Sequence, residues 1–180
     1  MYRRIKYATI ITTFLSTSLI AGLSYVSALP RVLSKKNQDT TTQQEPLKKV
    51  RPQDLNWLTM NIYHEARGES LAGMYAVGIV TMNRVNDENY PKTVKGVITQ
   101  KHQFTWVKDR NSNRVKEVQS YEIAQDVARN ILANNGRDKT YVSVKRKLHG
   151  AIYYHANYVR PSWSHKKTFV TRIDKHLFYI

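Results

Sequence analysis

Two carboxylates stand four residues apart in Tyr63-His64-Glu65-Ala66-Arg67-Gly68-Glu69-Ser70, where two apolar, helix-period segments meet. Side chains at i and i+4 share one face of a helix. A carboxylic acid set among apolar neighbours loses solvation of its charged form, so its pKa rises and the proton stays on at neutral pH. Such a group is a general acid, and one held proton is enough to begin breaking a glycosidic bond. Glu65 is the candidate for that role. Glu69 precedes Ser70, a residue suited to cap the next helix, so its charge either favours that helix dipole or faces a substrate. Arg67 lies about 200° from Glu65 around a helix, so the two side chains diverge.

Other chemistries find little support. His64-Glu65 begins like a zinc-protease motif, but that motif needs a second His four residues on, and position 68 is Gly. His102, His149, His155, His165 and His176 show no paired metal-ligand spacing, and there is no Cys. No phosphate-binding loop, dinucleotide fingerprint or G-x-S-x-G elbow occurs. Neither a metal nor a cofactor is expected. Gln103-Phe104-Thr105-Trp106 combines an amide with two aromatics, a set suited to stacking on sugars and bonding their N-acetyl groups. Phe104 suits a core anchor equally well. Asn83-Arg84 closes an apolar helix, where it either faces a cleft or simply ends the helix.

The elements that must position these groups are legible in part. Asp54 can cap a first helix carrying Leu55, Leu58 and Ile62 on one side. Gly68 breaks it, Ser70 caps a second helix from Leu71 to about Val85, and that helix is apolar almost all round from Met74 to Met82, as a central buried helix is. Asn89-Tyr90-Pro91 marks a turn. A third helix runs from about Ser120 to Asn134, with Gly136 placed to end it. Tyr141-Val142-Ser143-Val144 reads as a short strand. The Tyr-rich tail from Tyr153 has no decisive period. The expected class is α+β, mainly helical.

The chain has 180 residues and a net charge of +16, with 41% hydrophobic residues. That apolar content excludes disorder throughout. Nine Lys/Arg fall in the first 53 residues against Asp39 and Glu45, leaving 20 Lys/Arg and 11 Asp/Glu beyond. Such a surface favours polyanions: nucleic acid, anionic lipid or an anionic wall. Arg3, Arg4 and Lys6 precede an uncharged run from Tyr7 to Leu29. As a helix it would span roughly 35 Å, enough for a bilayer, with the remainder exported. Val26-Ser27-Ala28 has the small residues of a signal-peptidase site, while the length of the run suits a retained anchor. Residues 1–30 are thus read as signal peptide or signal-anchor, 31–53 as a polar tether, and 54–180 as the folded catalytic domain.

From about Leu55 to Tyr179 the chain resembles the SleB/CwlJ-type cell wall hydrolases, the spore-cortex-lytic family. The resemblance rests on Tyr63 with Glu65-Ala66-Arg67-Gly68-Glu69, then Gly73, Ala76-Val77 and Asn83-Arg84-Val85. It continues through Pro91-x-Thr93-Val94-x-x-Val97, Gln103-Phe104-x-Trp106, Gly150-Ala151, Tyr154 and His176-x-Phe178-Tyr179. It implies a lysozyme-like or lytic-transglycosylase-like fold acting on peptidoglycan glycan strands, with Glu65 as the essential acid. By the same resemblance Glu69, Asn83, Gln103, Phe104, Trp106, Tyr154 and His176 become candidates for substrate binding. His64 stands where the family commonly has a small residue, and the basic loop Lys108 to Lys116 departs from the family pattern. The Ser/Thr-rich N-terminal span is similar to the anchors of some phage endolysins.

The expected protein is therefore an exported, monomeric enzyme of the periplasm or cell envelope, tethered through its N-terminus and without a nucleic-acid partner. The competing expectation is a membrane-tethered basic module that binds nucleic acid or wall polymer without catalysis, supported by the charge and the 12 Tyr.

Overall fold

The computed structural model describes residues 49–109 and 114–180. The proposed membrane or signal segment, most of the tether and part of the Lys108 to Lys116 loop lie outside the described residues. Among the described residues no helix is long and apolar enough to cross a membrane.

Five helices precede a small sheet: α1 (Pro52–Ala66), α2 (Leu71–Asn86), α3 (Val94–Ile98), α4 (Val118–Leu132) and α5 (Lys139–Leu148). Strands β1 (Tyr153–Ala156), β2 (Phe169–Ile173) and β3 (His176–Tyr179) follow, with short 3-10 helices at Thr105–Lys108 and Ser164–Lys166. The fold is α+β and mainly helical. The sheet is antiparallel in the order β1-β3-β2.

Helix α2 is the hub. Every residue from Gly73 to Thr81 is buried, as is Arg84, and α2 packs against α1, α3, α4 and α5. Gly78 permits close helix packing: a Cβ there would lie 2.5 Å from the Ile131 side chain of α4 and 2.9 Å from that of Ile62 on α1. Ser70 caps α2 by accepting from the Gly73 N–H. Inside, Asn61 Nδ2 donates to Thr81 Oγ1 at 3.1 Å, linking α1 to α2 through a buried polar pair. The fully buried Tyr63 accepts at its hydroxyl from the N–H groups of Lys116 and Glu117, fixing the start of α4.

Three local expectations are corrected. Tyr141-Val142-Ser143-Val144 is helical, within α5. Asp138 caps that helix through the Tyr141 N–H, and Tyr141, Val144 and Leu148 are buried at helical spacing, so the cap and these three buried positions outweigh the β-propensity of Val and Tyr. Asp54 is not the cap of α1, which starts at Pro52; Pro suits the first turn because it lacks only an N–H that would go unpaired there. Asp54 instead pairs with Arg51 at 2.6 Å. Helix α4 spans Val118–Leu132 and stops before Gly136, with Asn134 taking the left-handed conformation (φ 51°).

Candidate active site

Glu65 sits one residue before the end of α1, on the side facing the sheet. It opens onto a groove of about 860 Å³ between the helices and the strands. Helical residues His64, Glu65 and Arg84 form one side. The segment from His102 to Thr105 also lines it, and Tyr153 to Ala156, Tyr158, Val159, Trp163 and His176 form the sheet side. Glu65 is the only carboxylate among these lining residues.

Burial is the main influence on this acid and raises its pKa above the ordinary 4.5. A hydrogen bond donated by the Tyr154 hydroxyl to Oε2, at 3.4 Å, and the charge of Arg84 act in the opposite direction without cancelling the rise. Tyr154 comes from β1, so the acid is held between helix and sheet. Next to the carboxylate the Tyr154 phenol is itself pushed well up, by burial first and by the Glu65 charge second, and stays a donor.

Arg84, only 6% exposed, organises the floor. Its Nε donates to the Ile152 carbonyl at 2.7 Å and its Nη1 to Gln103 Oε1 at 3.1 Å. Its guanidinium also faces the rings of Tyr90, Phe104 and Tyr154. One buried cation therefore ties α2 to β1 and to the Gln103-Phe104 segment.

The candidate residues divide in two. Glu65, Gln103, Phe104, Tyr154 and His176 line the groove. Glu69, Asn83 and Trp106 do not. Glu69 accepts the Lys175 N–H at 3.1 Å and lies 3.6 Å from Lys175 Nζ, so its carboxylate is occupied by the β2–β3 turn. Asn83 Nδ2 donates to the Ala151 carbonyl at 2.9 Å, next to the Ile152 carbonyl held by Arg84. Trp106 lies behind His64, its indole stacked on the imidazole with centroids 4.7 Å apart and its Nε1 donating to Asn61 Oδ1. His176 on β3 is buried, its Nδ1 has no hydrogen-bond partner, and burial lowers its pKa.

Tyr90, Tyr153, His155 and Trp163 also line the groove without having been singled out from the sequence. For the last three the signal available is the density of aromatics from Tyr153 onward, which without a period does not give positions; Tyr90 reads only as part of a turn. Four histidines line the groove, yet among the described residues no three His, Asp or Glu side chains converge as metal ligands.

A mainly helical lobe, a three-stranded sheet and a sheltered acid between them define the class to which comparison then assigns the chain. Residues 68–179 match the family model described as Cell Wall Hydrolase, and the protein belongs to that family. Glu65 precedes the matched stretch. The spore cortex-lytic enzyme of Halalkalibacterium halodurans is 32% identical over 128 residues, covering 69% of this chain and 34% of that protein. That of Bacillus cereus is 29% identical over 127 residues, covering 69% and 43%. The chain thus spans well under half the length of the curated relatives it matches. Among solved structures, the catalytic domain of the germination-specific lytic transglycosylase SleB from Bacillus anthracis is similar, with a TM-score of 0.57 and 27% identity. That alignment covers 76% of this chain and all of that domain. The Bacillus cereus SleB catalytic domain gives 0.56 and 26%, over 74% of this chain and 94% of that one.

Proposed function

We propose that this protein is a lytic transglycosylase of peptidoglycan, cutting between N-acetylmuramic acid and N-acetylglucosamine. The observation that carries the reading is a single carboxyl, Glu65, in the lining of a groove of about 860 Å³, with burial raising its pKa. Glu65 protonates the bridging oxygen, and an oxocarbenium-like centre develops at the muramyl C1. The resulting carboxylate takes the proton from the same sugar's C6 hydroxyl, whose oxygen bonds to C1. The bridging oxygen leaves as the free hydroxyl of N-acetylglucosamine, and Glu65 regains its proton. The product is a 1,6-anhydro sugar.

A water-consuming route needs a second carboxylate as base or nucleophile. Glu69, the nearest in sequence, is engaged by Lys175 outside the groove, which favours attack by the substrate's own hydroxyl. Retention in the cell envelope fits the +16 charge, since a basic protein stays on an anionic wall. Export and tethering through the N-terminal segment, in the manner of a phage endolysin, belong to the same proposal.

Mass spectrometry of muropeptides released by the full chain from purified sacculi tests it. Anhydro-muramyl ends are expected. Ordinary reducing ends alone would reject the transglycosylase route, and wall binding with no release would reject catalysis in favour of a binding module.

A further inference from the structure

The loop between β1 and β2, from Asn157 to Thr168, overhangs the groove: Tyr158, Val159 and Trp163 all line it. Its composition is one-sided. Arg160, His165, Lys166 and Lys167 lie on it, Arg172 follows on β2, and no Asp or Glu occurs between Ala156 and Asp174. Among the described residues the ion pairs join Arg51 to Asp54, Arg67 to Glu117 and Lys175 to Glu69. None of them uses a cation of this loop. Lys167 is turned to the groove, with its Nζ 4.0 Å from the ring centroid of Tyr153, itself a lining residue. The loop therefore sets positive charge beside a cleft with a single carboxylate, Glu65, in its lining, and such a field draws in anionic substrate.

Exposed lysines are ordinarily just solvated, and each alone matters little. What separates these is the loop that carries them, which lines the groove through Tyr158, Val159 and Trp163 and sets Lys167 over the ring of Tyr153. In a stem-bearing strand the lactyl carboxyl of muramic acid is tied up as an amide, and the negative charge sits on the carboxylates of the peptide stem, within one sugar of the cut. Removing the stem with an amidase leaves a single lactyl carboxylate in its place. We infer that the Asn157–Thr168 loop binds the carboxylates of this stem, so that the enzyme prefers stem-bearing strands to naked glycan. The inference rests on the peptidoglycan reading above and adds a specificity element to it.

The test uses the full chain on soluble peptidoglycan strands of matched length, with stems intact or removed by an amidase. Initial rates are measured below saturation and products identified by mass spectrometry. Stem-bearing strands should be cut faster, and exposed charge pairs of this kind contribute roughly 1.5- to 5-fold each. In Arg160→Gln/Lys166→Gln, and separately in Lys167→Gln, the ratio of the two rates should fall towards one. Lys167→Arg should keep it, and added salt should erode it in the wild type. Thermal melts confirm that each variant is folded. Equal wild-type rates on the two substrates, or variants that slow both equally, would overturn the inference. Absence of product from either substrate would overturn the catalytic reading instead.

Discussion

Asp174 accepts both the backbone N–H and the hydroxyl of Ser70 through one carboxylate oxygen, at 2.8 and 2.6 Å, across 104 residues of sequence. Beside it Glu69 holds the Lys175 N–H. The end of the acid-bearing motif is thus clamped to the turn that delivers His176 to the groove. Gly73 makes room for the clamp, since a Cβ there would sit 2.5 Å from Asp174 Oδ2 and 2.7 Å from the Glu69 Cβ.

Asp174→Ala should cost about 1–3 kcal/mol, the range for losing hydrogen bonds to a charged acceptor. Gly73→Ala should also destabilise by forcing the clamp apart. Urea midpoints check both. An unchanged midpoint for Asp174→Ala would mean that the clamp is incidental.

Glu65→Gln should lower the rate of wall cleavage about 10²- to 10⁴-fold, the usual contribution of a positioned acid, while keeping the fold. It should also change stability in a pH-dependent way. The folded-state pKa of Glu65 is raised, so the native state binds the proton more tightly than the unfolded chain, and stability falls as pH rises through that window. Gln removes the penalty. The variant should melt higher than wild type at pH 8, with a smaller difference at pH 4.

The rate below saturation should decline as pH rises through the pKa of Glu65, because in the proposed mechanism the protonated acid starts the reaction. That limb should lie above the ordinary carboxylate value of 4.5. Tyr154→Phe removes a hydrogen bond that favours the ionised form, so the limb should move to higher pH. A limb moving downward would contradict this account.

Arg84→Met should destabilise by about 2–3 kcal/mol, as expected when charge-assisted hydrogen bonds to Ile152 and Gln103 are lost. In the folded fraction, loss of the positive charge should raise the pKa of Glu65 further. Denaturation midpoints and the pH–rate profile read the two effects separately.

Asp138→Ala should cost about 0.5–2 kcal/mol through loss of the α5 cap. The loss should be somewhat larger than for an isolated cap, because Asp138 also accepts from the Tyr75 hydroxyl at 2.6 Å.

Helices α1, α2 and α4 were legible because their apolar residues recur at helical spacing, and Ser70 marked the start of α2 by its chemistry. Helix α5 was misread since Tyr141 to Val144 is too short a window to separate the two periods, and its decisive residues, Asp138 and Leu148, lie on either side. A minor sheet is expected from the sequence, but its strands cannot be located in the tail for a different reason. Strands β1 and β2 have no fully buried alternate face: β1 is half-buried throughout, and β2 carries a bulge between Phe169 and Thr171. Neither shows the alternation that marks a strand.

By itself the sequence determined the candidate acid, the helices that carry it, and the basic character of the whole, because these follow from residue type and local spacing. Only the tertiary structure decided that Glu65 faces the groove while Glu69 is tied to Lys175, and that Tyr154, Arg84 and His176 converge near the acid. Convergence of that kind comes from packing α2 against a sheet more than 60 residues further along the chain. Burial, which raises the acid's pKa, exists only once those surfaces have met.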